Sequence, residues 1–192
     1  MATHKGREIV HPASLAEWRS WLAANHATSN GVWLASWRSA TGRATVPYEL
    51  LVEEALCFGW IDGLLNVLDD ERRAILVTPR RRGSAWSRSN KERVDRLISE
   101  GRMTEAGLAV IERARADGSW SLLDAAEALE EPDDLAAALD ANPAARRHWS
   151  AFPPGVRRGH IGWVLLAKRP ETRARRIATI VGEAAENRRA TG

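Results

Sequence analysis

Apolar residues in the first third of the chain recur first at helical and then at strand spacing. Leu15, Trp18 and Leu22 share one helical face, with Trp21 beside them. Ser14 and Glu17, just after Pro12, have the S-x-x-E spacing of a capping box, so this helix is predicted to start at Ser14. Asn30-Gly31 signals a turn, and residues 32–38, rich in Val, Trp and Leu, predict a strand. Pro47 suits the first turn of a second helix, whose stripe is Leu50, Leu51, Ala55 and Phe58 and whose end lies near Gly59. Residues 64–68 and 74–78 then predict two short strands joined through Asp69-Asp70-Glu71, most simply as a hairpin.

The second half reads as helices. A basic loop, 79–87, leads to a second S-x-x-E pair, Ser89 and Glu92, and to Val94, Leu97 and Ile98 on one face, with Gly101 ending the helix. Thr104 is placed to cap the next helix, which carries Leu108 and Ile111 and runs to Gly118. Residues 119–134 are acidic and Ala-rich and read as a linker. Helices are predicted over 133–139, 144–152, 156–167 and 171–186, the last with Ile177, Ile180, Val181 and Ala184 in one stripe. The expected fold class is α+β: a small antiparallel sheet of three strands packed against helices, followed by a C-terminal helical part. The expected organisation is an α+β domain over 1–118, an acidic linker over 119–134 and a helical region over 135–192 docked on the first.

Composition narrows the class. With 192 residues, 44% hydrophobic and 28% charged, the chain has the make-up of a folded globular protein. Its net charge of +3 hides a pattern. Residues 72–102 hold ten Lys/Arg against three Asp/Glu, residues 118–142 seven acids and no base, and residues 143–192 eleven Lys/Arg against three Glu. Such an order means either intramolecular charge pairing or basic faces that attract anions. The single cysteine, Cys57, excludes an intrachain disulfide and a multi-cysteine metal site, and as a small residue between Leu56 and Phe58 it reads as core. No run approaches the roughly 18 apolar residues of a membrane span. The N-terminal MATHKGREIVHPAS has no apolar run behind its charges, so a signal peptide is not expected and the expected location is cytoplasmic. His4, His11, His26, His148 and His160 show no metal spacing, and no phosphate loop, dinucleotide fingerprint or G-x-S-x-G elbow is present; no metal or cofactor is predicted.

Candidate chemistry concentrates in residues 53–93, EEALCFGWIDG followed by TPRRRGSAWSRSNKER. Gly59 and Gly63 flank Trp60-Ile61-Asp62 and permit a close backbone approach. Arg80 and Arg81 offer planar forks for carboxylate or phosphate. Ser87 and Asn90 are small polar groups at a helix start, where free N–H groups favour an anion. Arg93 follows Asn90 at i+3 on the same face. Trp60 and Trp86 are candidate apolar or cation–π walls, and Lys168 is a candidate to close over the site. The rival reading is structural: Asp62 paired with an arginine, Trp86 in the core and Ser89 a cap, because paired charges also build purely structural networks.

EALCFGWIDG, TPRRRGSAWSRSNKERVDRLISEGRMTEAGL and DGSW together resemble the YdeI/OmpD-associated (bacteriocin-protection) family of bacteria, and WVLLAKRPETRARRI resembles that family's second signature. The resemblance spans residues 30–185, with a departure at Val77, where the family carries an aromatic residue. It implies a connection with bacteriocin protection and an outer-membrane protein, and no known reaction.

Three functions follow as expectations. The first is recognition of a small anionic ligand by Trp60, Asp62, Arg80, Arg81, Trp86, Ser87, Asn90, Arg93 and Lys168. The second is nucleic-acid binding through the basic segments, with tryptophans stacking on bases. The third is a protein partner bound through the C-terminal helices by Ile177, Ile180 and Val181, in a stress or envelope response. Asp62 and Glu53 are the candidate general bases, and neither has a partner that identifies a reaction class.

Overall fold

The structure is a computed structural model and describes residues 2–190. Its elements, in chain order, are strands β1 (Thr3–His4) and β2 (Arg7–Val10), helix α1 (Leu15–Asn25), β3 (Val32–Trp37), α2 (Tyr48–Cys57), β4 (Trp60–Val67) and β5 (Arg72–Pro79), and then helices α3 (Arg88–Ser99), α4 (Glu105–Ala116), α5 (Asp124–Glu127), α6 (Asp133–Asp140), α7 (Pro143–Ala151), α8 (Pro154–Leu165) and α9 (Pro170–Ala185). The fold is α+β. Two compact units are distinguished: the first takes the chain up to Ser84 together with Ser89–Asp117, the second takes Ala85–Arg88 and the chain from Gly118 on.

The first unit is built on a five-stranded sheet in the order β1-β2-β3-β5-β4. The predicted strands form its centre and one edge. β3 pairs antiparallel with β5, Val32 opposite Val77 and Leu34 opposite Ile75, and β5 pairs antiparallel with β4 as the expected hairpin. The sheet exceeds the three strands expected because residues 3–10 add two more. β2 lies parallel to β3, Ile9 opposite Trp33, with α1 as the crossover between them. With only Ile9 and Val10 as apolar residues, the segment takes its strand form from pairing with β3 and not from its own pattern.

Local chemistry sets the helix ends. Ser14 accepts from the Glu17 N–H, and Glu17 reaches back to the Ala13 N–H at 2.8 Å. Thr104 caps α4 by accepting from the Gly107 N–H. α3 begins at Arg88, so Ser89 lies inside its first turn and is not the cap the S-x-x-E spacing predicted. Gly101, at φ 66°, ends that helix, and the Arg102 N–H returns to the Leu97 carbonyl. Gly59 turns the chain from α2 into β4 at φ 74°, where a Cβ would sit 2.5 Å from Val110 Cγ2 on α4.

Trp18 and Leu22 of α1, Leu51, Val52, Ala55 and Leu56 of α2, and Val94 and Leu97 of α3 are all buried. Glu53 and Glu54 of α2 are buried with them and are fully engaged. Arg19 pairs with Glu54, Arg96 pairs with Glu53, and Arg102 spans both, 3.5 Å from Glu53 and 3.1 Å from Glu54. Three guanidiniums thus hold two carboxylates that burial alone would penalise.

The second unit is helical. Leu135, Leu139, Trp149, Ile161, Val164, Ile177, Ile180 and Ala184 form its core. The α9 stripe predicted for a partner protein faces this core, with Ile177 and Ile180 buried and Val181 packed against them. Residues 119–134 carry α5 and place Ala126 in the same core. The acidic and basic segments pair with each other here: Arg146 with Glu131 at 2.7 Å, Arg173 with Asp134 at 2.6 Å and Arg158 with Glu127 at 3.5 Å. The charge alternation read from the sequence is therefore partly consumed within this unit.

Candidate functional site

Asp62 sits on β4 opposite Val77, at the start of a β-bulge: three residues of β4 lead to the next pair, Leu65 with Ile75, against two of β5. The bulge lies beside the start of α2, where Pro47 precedes Tyr48. The Tyr48 hydroxyl donates to Asp62 Oδ2 at 2.5 Å. Burial pushes the Tyr48 phenol up to about 12, the Asp62 carboxylate pushes it the same way, and Arg93 opposes both. Arg93 is positioned by its own helix, donating from Nη1 to Asn90 Oδ1 at 3.0 Å.

Arg80 follows β5 directly. Its N–H is bonded to the Gly59 carbonyl at 3.0 Å, and its Nη1 lies 3.5 Å from the Ser84 carbonyl. The residue is 6% exposed. Burial pulls its guanidinium down to about 10 against the attraction of Asp62. One carboxylate therefore stands within electrostatic reach of a buried guanidinium while it accepts a phenolic hydrogen bond. Arg93 and Glu49 both act on the same phenol, so two cations and two anions gather around it.

Of the residues expected at the site, Asp62, Arg80, Asn90 and Arg93 fall in this part of the first unit. Arg81 is exposed on the turn that follows β5. Trp60 is a core residue and not a wall: it is 1% exposed, donates from Nε1 to the His26 carbonyl at 3.3 Å and meets Trp21 edge-on. Trp86 and Ser87 belong to the second unit, where Trp86 is 1% exposed and packs on Trp120 with ring centres 4.9 Å apart. Lys168 is exposed in the second unit, between α8 and α9. Tyr48 was missed. Its signal in the sequence is that it is the single tyrosine and stands directly after Pro47.

Tyr48 also borders a cleft of about 470 Å³ in the first unit. One wall is the segment 45–49 at the start of α2; the other is the sheet face that carries Leu34, Leu65, Arg73 and Ile75. The floor is apolar, and Arg73 and Glu49 place one charge of each sign at its border. Arg73 is exposed and makes no ion pair among the described residues. A cleft of this size, mostly apolar with a few placed polar groups, is the usual form of a small-molecule site.

Other candidates are accounted for. Glu53 is engaged by Arg96 and Arg102 and is not free to act as a base. Cys57 is buried, and burial followed by the Glu54 charge pushes its thiol up to about 11, the opposite of a reactive thiolate. Among the described residues no three His, Cys, Asp or Glu side chains gather as a metal site, and no helix is long and apolar enough to cross a membrane.

Comparison with known families divides the chain in two. Residues 10–110, which contain the Tyr48–Asp62 pair, Arg80 and Arg93, match the family model "Domain of unknown function (DUF8412)". Residues 128–187 match the family "Bacteriocin-protection, YdeI or OmpD-Associated". The resemblance read from WVLLAKRPETRARRI is thus found, over a shorter stretch than residues 30–185. No curated protein and no solved structure matches the chain.

Proposed function

We propose that this chain, which belongs to the family of the domain of unknown function DUF8412, is a binding protein for a small anionic ligand held in its first unit. The observation that carries the reading is that two arginines converge on the Tyr48–Asp62 pair, Arg80 acting on Asp62 and Arg93 on Tyr48. Guanidiniums are the side chains best suited to hold a carboxylate or phosphate. Arg93 adds a second cation, aimed by Asn90. Tyr48 stays a neutral donor at physiological pH and engages Asp62 Oδ2. The adjoining cleft supplies room for the rest of the molecule.

Two observations favour this reading over nucleic-acid binding and over a partner held on α9. None of the nine tryptophans is exposed among the described residues, so bases find no stacking platform. The α9 stripe is occupied by its own core. A part in bacteriocin protection or a related stress response belongs to the same proposal and rests on the YdeI/OmpD-associated segment; a cytoplasmic setting rests on the single cysteine, which suits a reducing compartment. No reaction is assigned, because the carboxylates of Asp62 and Glu53 are both engaged.

Thermal-shift screening against phosphorylated and carboxylated metabolites tests the reading. At least one class should raise the melting temperature of the wild type and leave the Arg80→Ala/Arg93→Ala variant unmoved. If none separates the two proteins, the anion site is wrong.

A further inference from the structure

We propose that β4 is a dimerisation edge, along which two copies of this chain pair antiparallel about a two-fold axis near Leu65. β4 is the outer strand of the sheet, so one row of its N–H and C=O groups has no neighbouring strand. Leu64, Leu65 and Val67 are 70%, 61% and 63% exposed, more than any other large hydrophobic residue among those described. Proteins protect such edges with charges, prolines or bulges. Residues 63–67 of β4 contain no charge and no proline. The bulge lies at the Asp62 end, and from Leu65 to Val67 the strand pairs regularly with β5. Pairing is thereby confined to the apolar stretch.

The charges flanking β4 select the occupant. One end leads into the acidic tip Asp69-Asp70-Glu71. The other end adjoins the start of the basic turn, because the Arg80 N–H is fastened to the Gly59 carbonyl. Asp69 is already paired with Arg72 and Glu71 with Arg43, which leaves Asp70 as the acid at the tip. At the opposite end Arg81 and Arg82 are exposed, Arg82 lying 3.8 Å from Asp117, and Asp62 is held by Tyr48, which leaves Arg81 as the cation there. A two-fold axis near Leu65 brings Asp70 of each copy to the end of the other that carries Arg81. Parallel pairing sets like charges together. A second copy therefore meets apolar surface with apolar surface and opposite charge with opposite charge, as an isologous contact requires. Leu65 also borders the cleft, so the added strand extends that wall.

Light scattering on a sizing column is the test, run at about 100 µM, where even a micromolar dimer is nearly saturated. The wild type should run as a dimer. Leu64→Lys and Val67→Lys, at exposed positions that do not line the cleft, should each weaken it by at least about tenfold while circular dichroism, and melting at a dilution where the wild type is itself monomeric, stay as in the wild type. Asp70→Lys should weaken the dimer several-fold, and adding Arg81→Asp should restore it. A monomeric wild type overturns the proposal and leaves the edge to an extended segment of another protein. A dimer indifferent to both lysine variants overturns it as well, because the contact then lies elsewhere. Failure of the charge swap to restore pairing refutes the antiparallel register.

Discussion

The Tyr48 hydroxyl and the Asp62 carboxylate meet at 2.5 Å across 14 residues of chain. The bond ties the first residue of α2 to the strand that bulges beside it. Tyr48 is the only tyrosine in the protein, so its ionisation can be followed without interference from another phenol.

The tyrosinate absorbance of the wild type should titrate near 12, above the ordinary 10.0. In Asp62→Asn the midpoint should fall back part of the way, since burial remains and the carboxylate does not. The folded phenol binds its proton more tightly than the unfolded one. Its contribution to stability is therefore complete below about 10 and is lost as pH rises through about 12. An unchanged midpoint in the variant would show that the pair does not form.

Arg102 and Arg96 both serve the buried glutamates, with unequal consequences. Arg102→Ala should destabilise the protein by about 2–3 kcal/mol in urea denaturation, after discounting for the solvent exposure of the arginine, because both carboxylates lose a partner. Arg96→Ala should cost less, since of the two buried glutamates it touches Glu53 alone, its other partner Glu100 is exposed, and Arg102 stays in place. Equal losses would mean that Glu53 and Glu54 do not share Arg102.

Gly59 and Gly101 separate backbone strain from crowding. Both have positive φ, 74° and 66°, but a Cβ at Gly59 meets Val110 whereas one at Gly101 meets nothing within 4 Å. Gly101→Ala should cost about 1 kcal/mol, the price of a left-handed alanine. Gly59→Ala should cost about 2–4 kcal/mol because overpacking is added to that strain. Chemical denaturation of the two variants decides it, and similar values would mean that α4 yields freely.

Asp134 and Arg173 give the second unit an acid-sensitive contact. The Arg173 guanidinium holds the Asp134 carboxyl below its ordinary value of 3.8. A carboxyl depressed in the folded state stabilises above the unfolded value, and that share is lost as pH falls through the depressed one. Arg173→Ala should therefore lower stability near neutral pH by less than about 1 kcal/mol, the pair being half exposed, with the gap closing below pH of about 4. A gap that persists at lower pH would place the effect in packing and not in charge.

What the sequence disclosed depended on how local each cause was. Ser14 and Thr104 were legible as caps because a cap is settled by residues three positions away. The β4–β5 hairpin was legible from its acidic turn. β1 and β2 were not, since β2 becomes a strand by pairing with β3, more than twenty residues on, and β1 only by pairing with β2. At the candidate site, Asp62, Arg80, Asn90 and Arg93 were found from their block, but Tyr48 was not: a residue at a helix start gives no sign of which strand it will reach. Trp60 and Trp86 misled for a physical reason. Tryptophan beside arginine reads as a binding wall, yet both indoles are buried.

The short run Ala85–Arg88 belongs to the second unit while the chain on either side of it belongs to the first. The boundary between the two bodies is therefore crossed three times along the backbone, and no single cut separates them. A fragment ending at Asp117 keeps Trp86 and loses Trp120, the ring it packs on. The same bookkeeping applies to inheritance. Trp86 lies inside the 10–110 match, whereas Trp120 lies beyond that match and before 128–187. A recombination event joining these two halves to new neighbours would have to carry the short stretch between them, or pass on one indole of a pair.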